Sequence, residues 1–172
     1  MASRSQDQTQ NLRVLGTGRL SPAKNGPGAY LLESFGNCYP ARMYVISIVF
    51  PEFTSLCPVT GQPDTGVICV EYIPDALCVE SKSFKLYMFA FRNHQSFMET
   101  ITNTVLDDLR VAIAPRWCRV KGFFAPRGGT RIHVFAEDFK QMSMEQDACV
   151  REAARAWKTE PCPHTVQPYA VV

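Results

Sequence analysis

Residues 80–113 read ESKSFKLYMFAFRNHQSFMETITNTVLDDLRVAI, and the spacing of apolar residues in this stretch decides the fold. Phe84, Tyr87, Met88 and Phe91 recur at i, i+3, i+4 and i+7, one stripe of a helix that opens at Ser81. Phe97, Ile101, Val105, Leu109 and Ile113 repeat every fourth residue. They predict a second helix from about Gln95 to Ile113, which Pro115 stops.

On either side the period changes. Upstream, ARMYVISIVF (41–50) is rich in β-branched and aromatic residues and predicts a strand. Val45, Ser47 and Val49 face one side, and Tyr44, Ile46, Ile48 and Phe50 the other. Both faces are mostly apolar, so helices or another subunit should cover both. TGVICVEYIP (65–74) predicts a second strand, ended by Pro74 and Asp75. Downstream, WCRVKGFF (117–124) and TRIHVFAE (130–137) predict two more, joined by APRGG as a hairpin connection. The order strand, strand, helix, helix, strand, strand points to α+β with an antiparallel sheet. Residues 1–40, with SPAKNGPGAY at 21–30, read as a flexible arm, 41–137 as the folded domain and 138–172 as a C-terminal extension. That extension should hold a short helix near Met144–Trp157 and end in loop.

The chain has 172 residues, 46% hydrophobic and 20% charged, with a net charge of +2. Such a balance gives no electrostatic mandate for binding nucleic acid or a membrane surface. No apolar run approaches a membrane span, and MASRSQDQTQNL lacks the apolar core of a secretory signal, so cytoplasm is the expected compartment. Seven scattered cysteines argue for free thiols. They and three widely separated histidines give no zinc-ligand spacing, so no metal site is expected.

SLCPVTGQPD (55–64) sets a thiol and a carboxylate seven residues apart. Fully extended, that separation is about 23 Å. Pro58 and Pro63 instead favour two extended arms, and Gly61 can take the positive φ of a turn between them. Cys57 and Asp64 would then come together. One reading is a β-turn with an inert buried cysteine, a common fate for a free thiol. The other is a nucleophile beside a proton carrier. An ionised Asp64 would by itself raise the thiol pKa, so it helps only as that carrier or with cations to offset it.

Three further features leave both functional and structural readings open. Lys82 and Lys85 lie three apart at helical spacing, and could hold a phosphate or simply face solvent. Arg127, in a glycine-bearing turn, could fork onto a phosphate or serve as a surface charge. Glu80 and Glu99 each stand at a helix start, where a carboxylate suits the helix dipole or could read a ligand's N–H groups.

PEFTSLCPVTGQPD (51–64), ESKSFKLYMFAFRNH (80–94) and PRGG (126–129), in this order and spacing, resemble the NADPH-dependent 7-cyano-7-deazaguanine reductases. These are the nitrile reductases of queuosine biosynthesis, a tRNA-modification pathway. The resemblance covers roughly residues 40–137 and suits the short, single-unit branch. It implies a tunnelling fold, in which ββαα units assemble as a homo-oligomeric barrel with active sites at subunit interfaces. It implies Cys57 as the nucleophile that forms a covalent thioimide with the nitrile, and Asp64 as the proton donor. Val79, Glu80 and Ser81 match a substrate-binding segment, and Glu99, with Met98 beside it, the glutamate that grips the deazaguanine ring. ESKSFKLY matches the cofactor motif, making Lys82, Lys85 and Arg127 candidates for NADPH phosphates. Neither metal nor flavin is implied.

Two positions depart from the pattern. Met98 stands where the family often has histidine, and methionine can neither donate a hydrogen bond nor carry a proton. Thr65 and Gly66 follow Asp64 where phenylalanine is common. Two alternatives use the same framework: an amidine-forming relative that passes through the same thioimide, and a non-catalytic tunnelling-fold protein that binds a purine- or pterin-like ring through Glu99. Zinc-dependent cyclohydrolase chemistry is weak for want of a ligand set.

Overall fold

The structure, a computed structural model, describes residues 26–157. β2 (Ile46–Leu56), β3 (Pro63–Ile73), β5 (Trp117–Phe124) and β6 (His133–Phe139) form an antiparallel sheet in the order β2-β3-β5-β6. β1 (Ser34–Gly36) pairs with β4 (Leu77–Val79) in a separate antiparallel ribbon. Helices α1 (Ser81–Ala90) and α2 (Met98–Ile113) follow β4, and α3 (Met144–Ala156) follows β6. The class is α+β with antiparallel strands, as the residue pattern predicts.

Strand alternation sorts β3 between two environments. Ile68, Val70 and Tyr72 join Phe84, Tyr87, Met88, Phe91, Ile101, Val105 and Leu109 in the main core, which unites the stripes of α1 and α2 with one face of the sheet. Each large side chain buried there contributes roughly 1.5–3 kcal/mol. Tyr87 Oη donates to Asp108 Oδ2 at 2.6 Å and ties α1 to α2. Ala114 closes α2 in the left-handed region at φ 41°, and Pro115 follows. On the other face of the sheet, Val67 and Cys69 pack with Val49 and Phe123. At one end of that face, Val150 and Ala154 of α3 cover Ile73 and Trp117.

Several boundaries differ from the sequence reading. The strand expected at 41–50 begins at Ile46 and continues to Leu56, with an irregularity in pairing between Phe50 and Phe53. Pro51 lies in that gap, and an edge strand tolerates the missing N–H. The second helix starts at Met98 rather than near Gln95. Leu56 accounts for this: its N–H donates to His94 O and its carbonyl accepts from Ser96 N–H, so residues 94–96 are held outside the helix. Phe97 is therefore the N-cap and exposed, not part of the buried stripe.

Residues 26–40 are not a loose arm. Glu80 N–H donates to Glu33 O, Glu33 N–H to Ser83 Oγ, and Asn37 Nδ2 to Asp75 O. Polar, glycine-rich composition reads as loop, but here these residues supply backbone partners to β4 and the start of α1. The last strand runs to Phe139, past the boundary expected at 137. The tail helix lies where the sequence places it. Residues 1–25 and 158–172, including the loop expected at the C-terminus, lie outside the described residues.

Candidate active site

β2 and β3 are joined by a tight hairpin, with Leu56 opposite Pro63 and Ser55 opposite Asp64. The loop between them closes on itself: Cys57 N–H donates to Gln62 O at 2.8 Å and Gly61 N–H to Cys57 O at 2.9 Å. Gly61 takes φ 67°, the positive value expected for the turn. Cys57 thus leaves the sheet beside Asp64, on the face that carries Ser55 and Phe53.

The third member comes from the β5–β6 connection. Arg127 and Thr130 exchange backbone hydrogen bonds across Gly128 and Gly129, at φ 59° and 80°. Two successive positive φ values make this a two-residue hairpin turn of the kind glycine permits. The turn delivers the guanidinium to the hairpin: Arg127 Nη1 donates to Asp64 Oδ1 at 2.7 Å and Nη2 to Cys57 Sγ at 3.3 Å. Gly66 allows the approach of β5. A Cβ there would stand 2.6 Å from Phe123 O. That contact is the physical reason for a glycine at this position.

Cys57 is 4% exposed, yet its surroundings are polar. The Thr60 hydroxyl and N–H, the Arg127 guanidinium and the Val59 N–H outweigh burial and hold the thiol at about 6, against an ordinary value of 9.0. Deep burial has the opposite effect on Cys118, whose thiol is pushed far up. Cys57 and Cys118 thus sit in chemically opposite environments. Thr60 was missed by sequence reasoning, although a hydroxyl three residues beyond a cysteine in a turn is a readable signal.

Leu56 also bridges to Gln95, which brings the start of α2 to the same end of the sheet as Cys57. Met98 is buried there and Glu99 is exposed in the first turn. Val79, Glu80 and Ser81 are not at that end within one chain. They lie at the opposite end of α1, whose 10 residues span about 15 Å. Glu80 is the N-cap of α1, its oxygens accepting from Lys82 N–H at 2.8 Å and Ser83 N–H at 2.7 Å. Val79 is buried and its N–H donates to Tyr72 Oη, while Ser81 is exposed.

Lys82 is half-buried and Lys85 exposed on α1, with no carboxylate partner among the described residues. Two uncommitted cations at helical spacing fit an anionic cofactor. Arg127 differs from the sequence expectation, because its terminal edge is engaged by the thiol and carboxylate rather than open to a phosphate. Among the described residues, no group of three potential metal-ligating side chains is gathered.

A protein of Desulfovibrio desulfuricans described as NADPH-dependent 7-cyano-7-deazaguanine reductase is 74% identical over 165 residues, 95% of this chain and 99% of that one. The chain belongs to the family of these reductases. A protein of the same description from Nitratidesulfovibrio vulgaris is 61% identical over 160 residues, covering 93% of this chain and 96% of that one. The family model "QueF-like protein" matches residues 63–143, from Asp64's strand through the arginine turn to the start of the extension. Among solved structures, the apo form of an archaeosine synthase described as QueF-Like has a TM-score of 0.52 at 22% identity. It covers 55% of this chain and 92% of that one, and shares the fold with the reductase family member described here.

Proposed function

We propose that this chain reduces the nitrile of 7-cyano-7-deazaguanine to 7-aminomethyl-7-deazaguanine with NADPH, through a covalent thioimide on Cys57. The reaction would serve queuosine biosynthesis and proceed in the cytoplasm. The observation that carries this reading is a thiol held at about 6 beside a carboxylate, in a family whose close relatives carry that name.

The residues account for the chemistry. Cys57 is ionised near neutral pH and attacks the electrophilic nitrile carbon. Asp64 carries a proton to the nitrile nitrogen as the carbon–nitrogen bond order falls. NADPH, when bound, supplies the hydride for each of two reductions. After the first, Cys57 departs as thiolate and leaves an imine. The second gives the amine, with two hydrides and two protons consumed in all. An imine hydrolyses in water, so the site must be closed during turnover. Lys82 and Lys85 would hold the cofactor phosphates, and Glu99 the edge of the deazaguanine ring.

Closure would come from a second copy of the chain in a tunnelling-fold barrel. Three features support this. Val79–Ser81 lie at the start of α1 and the segment bridged to Leu56 follows its other end, a helix of 10 residues spanning about 15 Å, so one chain does not bring the expected substrate segment to its own cysteine. Val59 and Phe97, next to the thiol loop and at the start of α2, are large exposed apolar residues. β2 and β6 are edge strands, and Phe135 on β6 is 61% exposed. The uncommitted lysines of α1 favour hydride transfer over amidine formation.

Adding 7-cyano-7-deazaguanine to protein and NADPH tests the reading. Two NADPH oxidised per nitrile consumed is the expected result. Nitrile consumption without NADPH oxidation would overturn it.

A further inference from the structure

Arg127 joins two buried groups from a partly exposed position. Its guanidinium donates to Asp64 at 2.7 Å and to Cys57 Sγ at 3.3 Å. Its own side chain is 41% exposed, whereas Asp64 and Cys57 are nearly inaccessible. Its backbone is pinned by the reciprocal bonds with Thr130. We propose that Arg127 is a positioning residue: a counter-ion that holds the Cys57 thiolate and the Asp64 carboxylate together while the site is empty, and steadies one Asp64 oxygen while the other delivers its proton.

The proposal rests on the nitrile-reduction reading for its second half. A carboxylate beside a thiolate opposes its ionisation, and the opposition grows as water is excluded. The guanidinium offsets it, because it is always charged and presents several donors in one plane. A carboxyl can accept from a guanidinium through one oxygen and donate a proton from the other. When sulfur bonds to the nitrile carbon, one π bond of the triple bond breaks, its electron pair moves to nitrogen, and nitrogen takes a proton from Asp64. The 2.7 Å contact engages Oδ1 alone, so it can persist while a proton on the other oxygen is delivered. Other polar or titratable groups at this end include Thr60 and Gln62 of the thiol's own loop, Ser55 opposite Asp64, and His94, Gln95, Ser96 and Glu99 on the segment bridged to Leu56.

The test is the rate of iodoacetamide alkylation of the full-length protein against pH, without nitrile or cofactor, read on the peptide that bears Cys57. It does not depend on substrate identity, so its failure is separable from failure of the proposed reaction. Wild type is expected to inflect near 6. Arg127→Gln should move the inflection upward, part of the way to the ordinary thiol value because the Thr60 and Val59 donors remain, and slow alkylation at pH 7 by about two- to threefold. Arg127→Lys should fall between them. Asp64→Asn should move the inflection down, because the guanidinium then serves the thiolate alone. Cys57 is itself only 4% exposed, so each rate is read beside that of buried Cys118, which rises only if the variant opens. An Arg127→Gln inflection equal to wild type, or an upward move in Asp64→Asn, overturns the proposal.

Discussion

Ser55 and Asp64 stand directly opposite each other on β2 and β3, and the Ser55 hydroxyl is fully buried with no hydrogen-bond partner among the described residues. A buried hydroxyl left unpaired costs about 1–3 kcal/mol. Ser55→Ala is therefore expected to leave stability unchanged or raise it by about 1 kcal/mol. Denaturant unfolding checks this, and a loss of stability would mean that the hydroxyl is paired.

The face of the sheet opposite α1 and α2 holds a second buried relationship. Lys121 Nζ donates to Glu71 Oε1 at 2.9 Å, with both side chains almost fully buried. Arg119 approaches the other carboxylate oxygen at 4.0 Å. Lys121→Ala should destabilise by about 3–5 kcal/mol, because it leaves a buried carboxylate facing a distant guanidinium. Replacing both partners, Glu71→Leu with Lys121→Met, should recover most of that loss in the same unfolding measurement.

The thiol gives stability a pH dependence with a definite sign. Between about 6 and 9.0 the unfolded cysteine binds a proton that the folded one has released. Stability from this site therefore rises with pH across that window and is absent below it. The stability difference between wild type and Cys57→Ala should widen from pH 6 to pH 9. Parallel curves across that range would show that the folded thiol is not depressed.

Lys82 sits on α1 without a carboxylate partner among the described residues. Lys82→Ala is expected to raise the NADPH KM several-fold with little change in kcat, because the lost contact is made equally in ground and transition states. Steady-state kinetics at saturating nitrile separate the two, and an unchanged KM removes this lysine from the cofactor site.

The periodic elements were legible because they are amphipathic. The stripes of α1 and α2, and strands β3 and β5, follow from residues that a single rule of spacing selects. What stayed hidden depends on partners distant in sequence. β1 is three residues long and exists through its pairing with β4, which no local period announces. The start of α2 is set by Leu56, some forty residues upstream. At the site, the prolines and glycine of residues 57–64 foretold the turn that brings thiol and carboxylate together. The cation they require is Arg127, which reaches them from the far end of β5. Its place in a glycine-bearing turn suggested a fork for phosphate or a surface charge, neither of which points to the thiol.

Intact-protein mass spectrometry with 7-cyano-7-deazaguanine and no cofactor tests the central claim most directly. One ligand mass should be added, map to the peptide bearing Cys57, and be absent in Cys57→Ala. It should form about 10²–10⁴ times more slowly in Asp64→Asn, the usual contribution of a positioned general acid. Wild-type protein that oxidises NADPH on addition of the nitrile, yet never carries the added mass, would contradict a covalent bond between Cys57 and the nitrile carbon.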